Sequence, residues 1–207
     1  MADAVIKGFL MKSLVRLSRK PQAKVLLEKQ EGSILDVGGG GEGTIAKACG
    51  RETVCVDIKK GEILEARSRG AVANWVLCDA CSLPFKDGVF DVATFFFSLM
   101  YIKTLDKKHT VIVETRRVLK SSGSIYLWEA IIREKPDLSV VFVESILPDR
   151  RKIYTGYGVR GKTEKEQNLE LLSKLAFDAG FRATRTESHK NWFAARFNCA
   201  GALSNPV

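Results

Sequence analysis

The sequence predicts an α/β fold: a largely parallel sheet covered by helices on both faces and closed by an antiparallel hairpin. Three observations carry this. From Ser33 onward, short apolar runs alternate with longer amphipathic ones, as strands joined by helical crossovers do. One run ends in four consecutive glycines, Gly38 to Gly41, followed by a helix candidate at Thr44, the strand-loop-helix form of a ligand site at a sheet edge. The last two apolar runs are separated by little more than His189-Lys190-Asn191, too short for a parallel crossover, so they can pair only antiparallel.

In chain order, residues 1–30 read as an N-terminal helical cap, one or two amphipathic helices broken near Pro21, because Val5, Phe9, Leu10, Leu14, Val15 and Leu17 recur at roughly helical spacing. Strands follow at Ile34–Val37, Thr53–Ile58, Asn74–Cys78, Phe90–Phe97 and Ser124–Trp128. Helices lie between them at Thr44–Gly50, Gly61–Arg69 and Leu105–Lys120, the last with Leu105, Ile112 and Leu119 on one stripe. Residues 131–162 form a long segment of the kind that lids a substrate site. Thr163 and Glu166 have the spacing of a capping box opening a helix with Leu169, Leu172 and Ala176 on one face, and Gly180 ends it. Phe181–Glu187 and Trp192–Asn198 make the closing hairpin. Nothing divides residues 1–207, so a single domain is expected.

The chain has 207 residues, of which 45% are hydrophobic and 28% charged, an ordinary globular balance rather than a disordered one. The longest apolar stretch, Val92 to Tyr101, is broken by Thr94 and Ser98 and is too short to span a bilayer. No export signal is expected, because Lys7, Lys12 and Arg16 interrupt the N-terminal apolar residues. Five cysteines without framework spacing fit small core residues of a reducing compartment, so cytoplasm is expected; Cys78 and Cys81 lack a second ligand pair, and no metal is expected. The net charge is +9, which suits nucleic acid or an acidic partner but is equally common on proteins that bind neither.

The glycine run is where the chemistry concentrates. Without Cβ atoms the backbone can approach a ligand closely, and its N–H groups suit an anion. The spacing Gly38-x-Gly40-x-x-Gly43 fits a dinucleotide site. Asp36, two residues before the first glycine, would repel a pyrophosphate and favour a ligand with ammonium and sulfonium charge, which points to S-adenosylmethionine. Asp57, 21 residues later, ends the next strand where a carboxylate can hold both hydroxyls of a ribose. Asp79 follows the strand after that, so three strand ends present an acid to one sheet edge.

These residues resemble the class I S-adenosylmethionine-dependent methyltransferases, particularly the small single-domain group similar to the ubiquinone/menaquinone-type (type 11) enzymes. Ile34-Leu35-Asp36-Val37-Gly38-Gly39-Gly40 is similar to the family's first motif, and Val56-Asp57-Ile58 to its ribose-binding acid. Cys78-Asp79-Ala80 through Leu83-Pro84-Phe85-Lys86-Asp87-Gly88-Val89-Phe90-Asp91-Val92 resembles its adenine-contacting acid and LPF-x-D-x-x-FD segment; Arg117-Val118-Leu119-Lys120-Ser121-Ser122-Gly123 is similar to its RVLKPGG turn. The chain departs at Glu42, where the family has its third glycine, and at Ser121-Ser122. The resemblance implies a Rossmann-like three-layer sandwich with a seven-stranded, mostly parallel sheet of order 3-2-1-4-5-7-6, strand 7 antiparallel. It further implies Asp36, Val37, Gly38, Gly39 and Gly40 at the methionine moiety, Asp57 at the ribose, Asp79 at the adenine amino group, and Ile58 and Ala80 as walls of the adenine ring. Phe97 and Ser98, after the fourth strand, would lie beside the reactive methyl.

The implied activity is methyl transfer by in-line displacement, which needs alignment more than a nucleophile. No catalytic base stands out. Tyr101, Glu129, Tyr154 and Tyr157 are substrate-side candidates by residue type. The chain lacks the Asn/Asp-Pro-Pro-Tyr segment of base-amino methyltransferases, which favours a small-molecule acceptor. The basic N-terminal segment keeps an RNA or protein acceptor open, and an NAD(P)-dependent oxidoreductase or a catalytically silent cofactor-binding subunit are the other readings. Oligomeric state is not indicated.

Overall fold

A computed structural model of the protein describes residues 20–133, 138–160 and 166–200. These residues include ten strands: β1 Ala23–Leu26, β2 Ile34–Val37, β3 Val54–Asp57, β4 Asn74–Leu77, β5 Phe90–Phe96, β6 Leu119–Ala130, β7 Leu138–Ile146, β8 Lys152–Arg160, β9 Phe181–Ser188 and β10 Trp192–Cys199. Among the described residues four helices accompany them: α1 Thr44–Cys49, α2 Lys60–Ser68, α3 Leu105–Val118 and α4 Leu169–Asp178, with a 3-10 turn at Leu99–Tyr101.

The main sheet has seven strands in the order β4-β3-β2-β5-β6-β10-β9. Counting only its own strands, this is the expected 3-2-1-4-5-7-6; the numbering differs because three further strands form a separate sheet. β2 pairs parallel with β3 and β5, β3 with β4, and β5 with β6, whereas β10 runs antiparallel to both β6 and β9. All four residues of β2 are buried, as a central parallel strand covered on both faces requires. On one face Val111, Ile112 and Val118 of α3 and Leu172 and Ala176 of α4 pack on Phe95, Ile125, Leu127 and Phe197. On the other, Ile45 and Ala48 of α1 and Ala66 of α2 cover the sheet.

The second sheet, in the order β1-β7-β8, was not expected. β1 lies parallel to β7, and β7 and β8 form an antiparallel hairpin from Leu138 to Arg160. Val25, Val141, Val143 and Val159 pack with Phe96, Phe97 and Met100, so the hairpin lies over the ends of the central strands. This corrects the helical reading of residues 1–30 where it can be compared: Ala23, Val25 and Leu27 are buried while Lys24 and Leu26 are exposed, a period of two. Residues 1–19 lie outside the described residues.

Two smaller corrections have local causes. Helix α4 is capped by Asn168, whose Oδ1 accepts the Leu171 N–H at 2.8 Å; Glu166 precedes the helix, and Thr163 lies outside the described residues. Strand β6 begins at Leu119, five residues early, because Leu119 pairs with Phe90 across a register shift. The Leu83–Asp87 segment owes its shape to Arg117, which donates to the carbonyls of Leu83 (2.9 Å) and Phe85 (2.8 Å) and to Asp87 (2.7 Å). That motif is therefore a strap holding β5 to α3.

Candidate functional site

The strand ends of β2, β3 and β5, the loops after them and β8 enclose a cavity of about 1390 Å³. Single drug-sized ligands occupy sites of roughly 300–1,000 Å³, so there is space for a nucleoside donor and a second molecule. All but one of the sequence-derived site residues line it: Asp36 to Gly40, Asp57 and Ile58, Asp79 and Ala80, Phe97 and Ser98, and Tyr101, Tyr154 and Tyr157. Glu129 does not. Six acidic side chains line the cavity against four basic ones, although the chain as a whole carries +9. The local field therefore favours a cationic ligand over a polyphosphate.

The glycine loop is held by its own amides. Gly38 and Gly39 N–H both donate to the Val56 carbonyl (2.9 and 3.1 Å), Gly40 N–H to Asp57 Oδ2 (3.1 Å) and Gly41 N–H to the Glu62 carbonyl (2.9 Å). This corrects the expectation that these amides bind an anion: they are spent inside the protein, and α1, at six residues, begins without a side-chain cap. What the missing side chains do provide is proximity. A Cβ on Gly40 would lie 2.6 Å from Asp57 Oδ2, and one on Gly39 would collide with the Asp36 carboxylate. Gly38 has φ 75° and sits where a Cβ would be 2.6 Å from Ser98 Cβ, so the loop is pressed against the turn after β5. Gly38→Ala is expected to destabilise the fold by about 1–3 kcal/mol from backbone strain and overlap; urea melts of G38A and of G38A/S98G check it, the second variant recovering only the overlap part.

Asp36 is 1% exposed and lies beneath the loop. Its Oδ1 accepts the Thr94 hydroxyl at 2.7 Å and its Oδ2 the Cys55 thiol at 3.9 Å. Burial pushes its pKa up to about 7 despite the Thr94 bond. Its influence on a ligand is therefore a charge acting through the thin glycine loop rather than an exposed ligating group. Asp57 takes Gly40 N–H on one oxygen and Lys59 N–H on the other (2.8 Å), which fixes the carboxylate and leaves one lone pair on each oxygen. Asp79 Oδ1 accepts the Cys81 N–H at 2.9 Å.

Glu42, at the position of the family's third glycine, is buried in an ion cluster: Lys47 and Arg69 each bond it at 2.7 Å, and Arg69 also reaches Glu65. The loop thus closes with a side-chain clamp where backbone alone usually serves. Across the cavity the Tyr157 ring stacks on Phe97 at 4.8 Å and 14°, and the Tyr101 hydroxyl accepts the Gly158 N–H at 3.4 Å, so the hairpin is tied to the turn after β5. Burial raises the Tyr101 hydroxyl to about 12 and the Tyr157 hydroxyl further still, which disqualifies both as bases near neutrality. Sequence reasoning missed Thr94, Arg69 and Phe142, none of which belongs to a motif.

Glu129 is corrected from substrate residue to buried support: it is 0% exposed and bonds the backbone of Ser98, Leu99 and Met100. Burial pushes its carboxyl up to about 7, against the pull of those amides and of Lys108. Among the described residues no helix is long and apolar enough to cross a membrane.

Residues 35–127 match the Methyltransf_11 model, described as a methyltransferase domain. The ubiquinone/menaquinone biosynthesis C-methyltransferase UbiE of Paraburkholderia phymatum is 33% identical over 106 residues, covering 46% of this chain and 42% of that protein. UbiE of Burkholderia mallei is 36% identical over 107 residues, covering 47% and 43%. The matched part of the chain thus spans less than half the length of these relatives. Among solved structures, the PH0226 protein of Pyrococcus horikoshii superposes with a TM-score of 0.60 at 20% identity over 82% of both chains. An S-adenosylmethionine-dependent methyltransferase of Methanosarcina mazei gives 0.59 at 20% identity over 84% of this chain and 95% of that one. The [4+2]-cyclase SpnF shares the fold as well (0.58, 17% identity, 84% and 77% covered), so fold alone does not name the reaction. Motifs, sheet order and family match thus agree over residues 35–127, the part of the chain that is similar to a methyltransferase domain.

Proposed function

We propose that the protein transfers a methyl group from S-adenosylmethionine to a small-molecule acceptor held between the central strand ends and the β7–β8 hairpin. The observation that carries this is the state of the glycine loop: the N–H groups of Gly38 to Gly41 all have protein acceptors, while Asp36, Asp57 and Asp79 stand at three consecutive strand ends. A dinucleotide would find the amides of Gly38 to Gly41 already taken and a carboxylate beneath them; a cationic nucleoside finds charge and hydroxyl acceptors where it needs them. The NAD(P) reading has no comparable support.

The residues present suit such a donor. Asp57 has one lone pair per oxygen for the two ribose hydroxyls, Asp79 is within the same cavity for the adenine amino group, and Ile58 and Ala80 supply apolar wall. The bare backbone of Gly38 and Gly40 admits the methionine moiety. When bound, the donor supplies an already activated methyl on a sulfonium. The protein's part is alignment: Phe97 and Ser98 fix the position beside that methyl, and Phe142, Tyr154 and Tyr157 close the acceptor side and exclude water. The β7–β8 hairpin acts as the lid, with Tyr101 to Gly158 as its latch. The aromatic walls favour a small acceptor over nucleic acid or a protein, and five free thiols support a reducing, cytoplasmic setting.

A thermal-shift panel of S-adenosylmethionine, S-adenosylhomocysteine, NAD and NADP tests the reading. The adenosyl sulfonium and its thioether product are expected to raise the melting temperature, by about 2–4 °C per 1 kcal/mol of binding linkage, and the nicotinamides are not. A shift with NAD or NADP alone would make the protein an oxidoreductase; a shift with the donor but no turnover on any acceptor would make it a silent binding subunit.

A further inference from the structure

The buried carboxylate that takes no part in the cavity wall gives the site a second layer, and the argument rests on the donor reading above. Glu129, near the end of β6, accepts Ser98 N–H (2.9 Å) and Leu99 N–H (2.8 Å) on Oε1, and Met100 N–H (3.3 Å) and the Gln167 Nε2 amide (2.9 Å) on Oε2. Gln167 also donates to the Ala130 carbonyl (3.1 Å), and its Oε1 accepts from Lys108 Nζ (2.7 Å), a lysine that is 0% exposed. A carboxylate so deep persists only where its lone pairs are met, and here four donors and a nearby ammonium meet them.

The three backbone amides belong to one turn, and that turn is the part of the cavity wall pressed on the glycine loop. Phe97, with φ 51°, opens it and carries the ring on which Tyr157 stacks; Ser98 packs against Gly38. A non-glycine residue with positive φ stays there only when its surroundings hold it. Gln167 extends the same node to the lid: it exchanges backbone hydrogen bonds with Ile132, at the root of the hairpin (2.8 and 2.9 Å). One polar cluster therefore anchors the turn after β5, the start of the lid and the approach to α4.

We infer that Glu129 is a positioning residue for the donor site: by holding the amides of Ser98, Leu99 and Met100 it sets the gap between the glycine loop and the turn after β5. A carboxylate serving only the core would change the melting temperature and leave the affinity of the folded protein alone. The separating readout is S-adenosylhomocysteine affinity by calorimetry, well below the melting temperature. E129Q preserves volume but turns an amide N–H₂ toward donors at Met100 and Gln167, so affinity is expected to fall about tenfold or more. Q167E added to E129Q returns an acceptor to that amide and to Lys108 but leaves Met100 N–H facing the amide and takes the donor from the Ala130 carbonyl, so the pair is expected to recover only part of the affinity and to stay about threefold or more below the native protein. Native-like affinity in folded E129Q, or in the folded double variant, would overturn the assignment; if E129Q alone does not fold, the double variant decides on the same criterion. A native protein that fails to bind S-adenosylhomocysteine would instead sink the donor reading, and this inference with it.

Discussion

Asp57→Ala is expected to lower the affinity for S-adenosylhomocysteine by about 10²- to 10⁴-fold. In the proposed orientation the carboxylate takes two ribose hydroxyls, and hydrogen bonds to a charged acceptor are worth about 1.5–3 kcal/mol each. It also holds two backbone groups, Gly40 N–H and Lys59 N–H, so the variant loosens the glycine loop as well as deleting the acceptor. D57N separates these contributions only in part, because its one carbonyl oxygen can serve Gly40 or Lys59 but not both; the amide then faces the other N–H donor to donor. The check is titration calorimetry together with a ligand-free melt. Affinity in D57A within about threefold of the native protein would show that the ribose does not lie at the end of β3 and would unseat the orientation proposed for the donor.

Most of the frame of this site was legible from residue order, and the reasons are local. Gly38 to Gly41 after a buried strand, acids at the ends of the next two strands, and a three-residue gap before the last strand each leave one physical solution, and the main sheet has the order they imply. The parts that stayed hidden depend on distant partners. β1 is only four residues long, and the alternation of Ala23, Val25 and Leu27 is too brief to outweigh the helical spacing just before it. Its partner residues in β7 lie 120 positions further on, Ala23 opposite Val143, beyond the reach of any periodicity. In Lys107-Lys108-His109 nothing distinguishes the middle lysine, yet the structure buries it because Gln167, 59 residues away, accepts its ammonium. Glu129 misled for the same reason: a carboxylate at a strand end reads as a surface group or a base until the turn that caps it is seen. The loop amides are the sharpest case, since a glycine run announces close approach but not whether its N–H groups face a ligand or the protein.

That distinction makes Asp36 the residue whose charge matters most, and its burial gives the charge a pH signature. With the folded-state pKa raised to about 7 and the unfolded one near 3.8, the native protein binds a proton that the unfolded chain releases throughout the window from about pH 4 to pH 7. Stability therefore falls as pH rises through that window, by at most roughly 4 kcal/mol from Asp36. Glu129, raised by burial in the same direction, adds to the slope, while Asp91, lowered to about 2 by Lys120 and Ser33, acts in the opposite sense only below about pH 4. Asp36→Asn removes the Asp36 part while keeping an acceptor for the Thr94 hydroxyl, so the difference between native and D36N denaturation curves isolates it from the rest of the titrating groups. A donor ammonium seated on the loop as proposed would favour the ionised carboxylate beneath it; binding near pH 6 is accordingly expected to expel a proton. Calorimetry in buffers of different ionisation enthalpy would register that release in the native protein and its disappearance in D36N. Equal pH slopes in the two proteins, or no proton released on binding, would mean that Asp36 neither titrates in this window nor senses the ligand, and selection of a cationic donor would have to come from Asp57 and Asp79 alone.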